Sequence, residues 1–339
     1  MYYAAIFVSW VTCTLSRQYY YLFVSSFGLS VMCLTKLIYG DPRPYFVDAD
    51  IEPLGECTAD FANPSGHTLY IFLWSIMLYL DCMEAYSISW NNFKANLVLY
   101  LVIVPFCMLN GFSRLYVGVH GLNQIVFGGC LGIFCAFYSH FVVRKPLMQH
   151  VEDLLAASKS QKFTKETNLV IYCTLVHIVG TFVPYTIHEI IGVPDEWEAN
   201  LCEDMNMNKA FGKRTLNDSM ICYGATTAYF GLHLLKGRGI SNSWDDSVHN
   251  VLTRLLALIV SLLVPVAIMF TYSSEGEYVP YLVLVNFLPW AGIGFCVYFV
   301  LPVLFFEVFD VSGNMAQRTK EVSMQDLSRH KQKLMIVFV

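Results

Sequence analysis

Three strings in this chain hold residues that could act together on a phosphoryl group: Lys36 with Arg43-Pro44, then Pro64-Ser65-Gly66-His67, then Ser113-Arg114 followed by His120. They offer three cations, a turn suited to an anion, and two imidazoles. Lysine brings a point charge and arginine a planar fork, and phosphate recognition uses both. One imidazole can attack phosphorus while another gives a proton to the departing oxygen. The inventory fits phosphoryl transfer through a phosphohistidine, a chemistry that requires no metal.

Each string must be held by an element. In the first, Gly40 and Pro42 interrupt any helix that would put Lys36 and Arg43 on one face. Lys36 is therefore expected at the end of the preceding span, with Arg43 extended between two prolines. The plain alternative is a pair of interfacial cations reaching for lipid headgroups. In the second, Ser65 reads as an N-cap before an apolar run. A helix start there would present free N–H groups and a positive dipole end to an anion. Gly66 removes a side chain that would keep phosphate away, and His67 becomes the proton donor. In the third, Gly118 and Gly121 punctuate a turn, and His120 opens the next span. Gln124 follows four residues later on the same helical face, where its side-chain oxygen is expected to hold one nitrogen of His120. A lone histidine in any of these places would more often be structural.

The 339 residues are 56% hydrophobic and 14% charged, with a mean hydropathy of +0.50. Soluble domains carry about a quarter charged residues, and runs of roughly 18 apolar residues suffice to cross a bilayer. The expected architecture is all-α: a polytopic transmembrane bundle with spans near 19–38, 65–82, 95–113, 120–143, 169–189, 217–236, 251–272 and 280–306, plus a short N-terminal apolar segment. No signal peptide is expected, since no basic region precedes that segment. With the spans threaded alternately, 15 of the 21 Lys and Arg fall on one side and 6 on the other. The positive-inside rule puts the richer side in the cytoplasm. All three strings then lie at span ends on the opposite, lumenal or outer, face, which makes a joint role far more attractive than three separate structural ones.

The organisation expected is a catalytic core over 1–143, a cytoplasmic linker over 144–168, further transmembrane helices over 169–306 and a polar tail over 307–339. Nine of eleven cysteines lie in or beside apolar runs and read as small hydrophobes. Cys57 and Cys202 lie in loops on the non-cytoplasmic side, where a disulfide between them is expected as a hypothesis. The Asn217 sequon lies too close to the membrane to suit glycosylation. The acidic loop with Asp41, Asp48, Asp50, Glu52, Glu56 and Asp60 reads as a solvated face. His177 and His233 inside later spans would suit a transport pathway, although isolated histidines are more often packed.

The three strings resemble the signature of the type 2 phosphatidic acid phosphatase superfamily, integral-membrane branch: Lys, six residues, Arg-Pro; Pro-Ser-Gly-His; Ser-Arg, five residues, His, three residues, Asp. The resemblance lies within the first 143 residues. It implies His120 as nucleophile and His67 as acid and then base. Lys36, Arg43, Arg114, Ser65 and Gly66 would bind the phosphate, with no metal, no cofactor and inhibition by vanadate. Gln124 stands where most of the family has Asp, and a neutral amide cannot stabilise an imidazolium by charge. Glucose-6-phosphatase is similar in having Gln there and in a Tyr after the Arg-Pro, here Tyr45. The resemblance implies a hydrolase acting on a lipid phosphate, lipid diphosphate or sugar phosphate. Candidates include phosphatidic acid, a sphingoid-base phosphate and a polyprenyl diphosphate. It also implies membrane-lipid contact and the endoplasmic reticulum with a lumenal site. No nucleic-acid partner is expected, and a homo-oligomer is left open. The alternative is a catalytically silent relative serving as a membrane-complex subunit.

Overall fold

The protein is described here from a computed structural model covering residues 13–54, 57–200, 211–238 and 279–304, with residues 255 and 259 and without the side chains of 279–286. The described residues form helices and connecting turns, with no strand among them. Five helices are long and apolar enough to cross a membrane. They are α1 (Leu15–Tyr39), α2 (Gly66–Ala85), α3 (Phe93–Tyr116), α4 (Leu122–Ala156) and α5 (Thr164–Ile191). The eight expected spans are therefore not all reproduced. The region 217–236 divides into α6 (Lys213–Met220) and α7 (Tyr223–Leu234), each too short to span alone. The last apolar region begins as α8 (Val279–Phe295). The region 251–272, the N-terminal apolar segment, the tail and Cys202 lie outside the described residues.

α1 is the axis of the bundle. Thr14 caps its start, its hydroxyl accepting from the Arg17 N–H at 3.4 Å. Gly40 ends it in the left-handed region at φ 58°, its N–H donating to the Lys36 carbonyl at 2.9 Å. The helix stops where the glycine and proline require, which leaves Arg43 extended at φ −78° and ψ 153°.

α2 and α4 pack closely because glycines stud α4. A Cβ on Gly128 would stand 2.6 Å from the Ser65 carbonyl oxygen, and one on Gly132 would stand 2.4 Å from that of Leu69. Two glycines four residues apart let helix backbones meet where larger side chains would part them. At the far end of this pair, buried charges meet. His140 Nδ1 and Arg144 NH1 each lie 3.2 Å from Asp81, and Arg144 also bonds Glu84. α4 does not stop near residue 143. It runs on to Ala156, because Val151, Leu154 and Leu155 bury one helical face against Leu15, Tyr19 and Leu232. The first half of the expected linker is thus helix. α3 is peripheral: 11% of its apolar window is buried, against 61% for α2. That leaves Leu101, Leu109 and Phe112 facing outward, as lipid contact requires.

His188 and the two isolated histidines are structural. His188 donates to the Leu37 carbonyl at 2.8 Å and packs on the Phe61 ring. His177 bonds the Ser219 carbonyl at 3.2 Å, and His233 bonds Thr167 at 3.2 Å.

Candidate active site

The C-terminal end of α1, the N-terminal ends of α2 and α4 and the C-terminal end of α3 converge on a cavity of about 460 Å³. Lys36, Arg43, Gly66, His67, Arg114 and His120 line it. Residues spread over 85 positions of sequence thus share one space.

The first string is not interfacial. Lys36 and Arg43 are 5% and 6% exposed, too buried for cations that reach into headgroups. Lys36 Nζ donates to Asp60 Oδ2 at 2.6 Å and to the Phe61 carbonyl at 2.7 Å. Arg43 Nε donates to the Asp60 carbonyl at 2.9 Å, and NH1 to the Val119 carbonyl at 3.1 Å. Its NH2 lies 3.8 Å from the Asp60 carboxylate. Asp60 is therefore the internal counter-ion of the cradle. Burial alone would raise its pKa, but Lys36 and Arg43 hold the carboxyl below its usual range. Reading the whole acidic loop as solvated is correct for Asp48 and Asp50, which are exposed, and wrong for Asp60, which is 3% exposed.

In the second string, Ser65 occupies the N-cap position but makes no side-chain cap bond. It is fully buried, its Oγ accepts from Thr68 Oγ1 at 3.1 Å, and its N–H donates to the Gln124 carbonyl at 3.0 Å. Ser65 ties α2 to α4 and does not line the cavity, contrary to the phosphate-binding role expected of it. Gly66 does line it, and a Cβ there would also stand 2.4 Å from Met32 Sδ. His67 is exposed at the cavity.

The third string delivers His120, 3% exposed, to the cavity wall. Its pKa is pushed down to about 2 by burial and then by Arg43, Lys36 and Arg114. The imidazole is accordingly neutral, the state a nucleophile needs. Gln124 stands beside it and anchors two backbone groups. Its Oε1 accepts from the Gly121 N–H at 2.9 Å, the N3 half of a capping box, and its Nε2 donates to the Pro42 carbonyl at 2.9 Å. His120 Nδ1 is buried with no hydrogen-bond partner among the described residues. Gln124 also hydrogen-bonds the His120 side chain, an interaction that raises the imidazole pKa against burial and the three cations, while the same amide ties down the start of α4.

Sequence reasoning missed the contribution of the second half. Phe211 packs on Phe46, and the Gly212 N–H donates to the Ala59 carbonyl at 3.1 Å. Gly212 is left-handed at φ 79°, and a Cβ there would lie 2.8 Å from the Phe61 ring. This docking places α6 so that Thr215 Oγ1 donates to Asp60 Oδ1, while Arg214 and Asp218 line the cavity. The available signal was a Lys-Arg pair on the side otherwise poor in cations, followed by an acid one helical turn on. Asn110, one turn before Arg114, also lines the cavity, with its Oδ1 buried and without a hydrogen-bond partner among the described residues. Cys57, on the same loop as Asp60, is disulfide-bonded, whereas nine other cysteines are free.

No curated protein and no solved structure matches this chain significantly. A family model described as PAP2 superfamily does match, over residues 17–147. That stretch contains α1 to α3, most of α4 and all three strings that meet at the cavity, and it is similar to the PAP2 superfamily.

Proposed function

We propose that the protein is an integral-membrane phosphatase that hydrolyses a phosphate ester or diphosphate through a phosphohistidine. The observation that carries this reading is the single cavity on which two histidines and the fixed cations converge. Lys36, Arg43, Arg114 and Arg214 face Asp60 and Asp218 there, four positive charges against two negative. The surplus of two matches a phosphate dianion. The neutral imidazole of His120 attacks phosphorus, forming the P–N bond as the P–O bond breaks, and His67 gives its proton to the leaving oxygen. Neutral His67 then takes a proton from water, whose oxygen displaces His120 and releases inorganic phosphate. The cations stabilise the charge that spreads over the phosphoryl oxygens, an electrostatic task that dominates such reactions.

Burial of Nδ1 supports attack through Nε2. The cavity wall also carries Leu29, Met32, Ile71 and Ile221, which suits a lipid phosphate or diphosphate better than a sugar phosphate. The charge asymmetry of the loops puts this end of the bundle on the lumenal or outer face, and we assign the endoplasmic reticulum by resemblance.

The test is phosphate release by detergent-solubilised protein in EDTA, beside a His120→Ala control. The panel is phosphatidic acid, sphingosine phosphate, a polyprenyl diphosphate and glucose 6-phosphate. Release that disappears in the variant supports the reading. Equal background release from both proteins would replace it with the silent subunit.

A further inference from the structure

The cavity holds two carboxylates with different circumstances. Asp60 is consumed by Lys36, Arg43 and Thr215. Asp218 is half-buried, and its carboxylate makes no side-chain hydrogen bond or close ion pair with a described residue, although Arg214 and Lys36 are near enough to favour its charged form. A carboxylate beside a phosphate site weakens anion binding, a cost that a ligand carrying its own cation next to the phosphate avoids.

Its position suggests which one. Arg214, Asp218 and Ile221 line the wall at successive turns, running from charged to apolar. Ile221 shares the apolar end with Leu29 and Met32 of α1, and Leu29 lies seven residues, about 10 Å, along that helix from Lys36. Asp218 therefore stands between the cation cradle and the apolar wall. With the phosphoryl group on Lys36 and Arg43 and a chain along the apolar wall, the carbons next to the ester oxygen fall beside it. Asn110 Oδ1 adds a second acceptor to the cavity that is buried and without a hydrogen-bond partner among the described residues.

Resting on the phosphatase reading above, we propose that Asp218 is a specificity-determining residue that binds an ammonium group next to the phosphate, so that the preferred substrate is a long-chain amino-alcohol phosphomonoester. Asp218 lies outside the segment that matches the PAP2 superfamily, so this preference is a property of the second half of the chain. A charge-assisted hydrogen bond of this kind corresponds to about tenfold or more in affinity.

The experiment is calorimetric binding to the full chain carrying His120→Ala, which removes turnover. Three probes are compared: a long-chain 2-amino-alkyl phosphate, the same alkyl phosphate without the amine, and inorganic phosphate. The amine-bearing probe is expected to bind about tenfold more tightly than its amine-free partner. Adding Asp218→Asn should abolish that preference, with an unchanged thermal midpoint as the check on folding. Should Asp218→Asn unfold the chain, Asp218→Glu takes its place and should shrink the preference by displacing the carboxylate. Equal binding of the two alkyl probes, or a preference that survives Asp218→Asn, overturns the proposal. If inorganic phosphate binds but neither alkyl probe does, the proposal falls and the phosphatase reading stands. If none of the three binds, both fall.

Discussion

Lys36, Arg43 and Arg114 act electrostatically on His120. Buried beside three cations, the imidazole is held neutral, with its pKa pushed down to about 2. An unfolded histidine titrates near 6.5. Between those values the unfolded chain binds the extra proton and the folded chain does not. Stability should therefore fall as pH drops below about 6.5, by up to roughly 1.4 kcal/mol per pH unit from this group. Thermal midpoints measured from pH 7 to 5 should decline less steeply in His120→Gln, whose amide has no proton to take. Asp60 matters chiefly as the counter-ion of a buried lysine. Asp60→Asn leaves Lys36 buried without its charge partner, and removing one member of such a pair costs about 3 kcal/mol or more. A thermal midpoint equal to that of the wild type would remove Asp60 from this role.

α2 and α4 set the distance between the two imidazoles, because each begins beside one of them. Their backbones meet at Gly128 and Gly132, where an added Cβ would strike carbonyl oxygens that cannot turn aside. Gly132→Leu should destabilise the protein by about 1–3 kcal/mol, as overpacked cores do. Gly129→Ala, whose Cβ would meet only the Phe72 ring at 3.4 Å, should be tolerated. Denaturation of the two variants side by side checks the contrast. The helices themselves were legible in apolar run length, and the end of α1 in Gly40 and Pro42. The small-residue spacing on α4 is visible in the sequence, but its partner helix is not. α4 does not end near residue 143 as its charges suggest, since Arg144 reaches the buried Asp81 and the exposed Glu84 carboxylates and the helix continues.

At the scale of the whole molecule, the second half of the chain completes the site. Thr215 reaches Asp60 across 155 residues of sequence and holds the carboxylate that holds Lys36 and Arg43. Thr215→Val keeps the shape of a fully buried side chain but leaves Asp60 Oδ1 without its donor. Losing a hydrogen bond to a charged group costs about 1.5–3 kcal/mol. Inhibition by inorganic phosphate should weaken about tenfold in this variant, with helix content unchanged. An unaltered inhibition constant would show that the cradle stands without its second-half support.

The residue types and spacing of three short strings determined the chemistry this chain can attempt, and the apolar runs determined a helical membrane bundle to carry it. Both are local properties, fixed by neighbours along the chain. Tertiary structure alone decided that Ser65 turns inward to α4, that Gln124 ties down the start of α4, that Asp60, Arg214 and Asp218 join the cavity, and that Thr215 holds Asp60 there. Those outcomes are set by competition for each donor and acceptor among groups far apart in sequence, and only packing brings the competitors together.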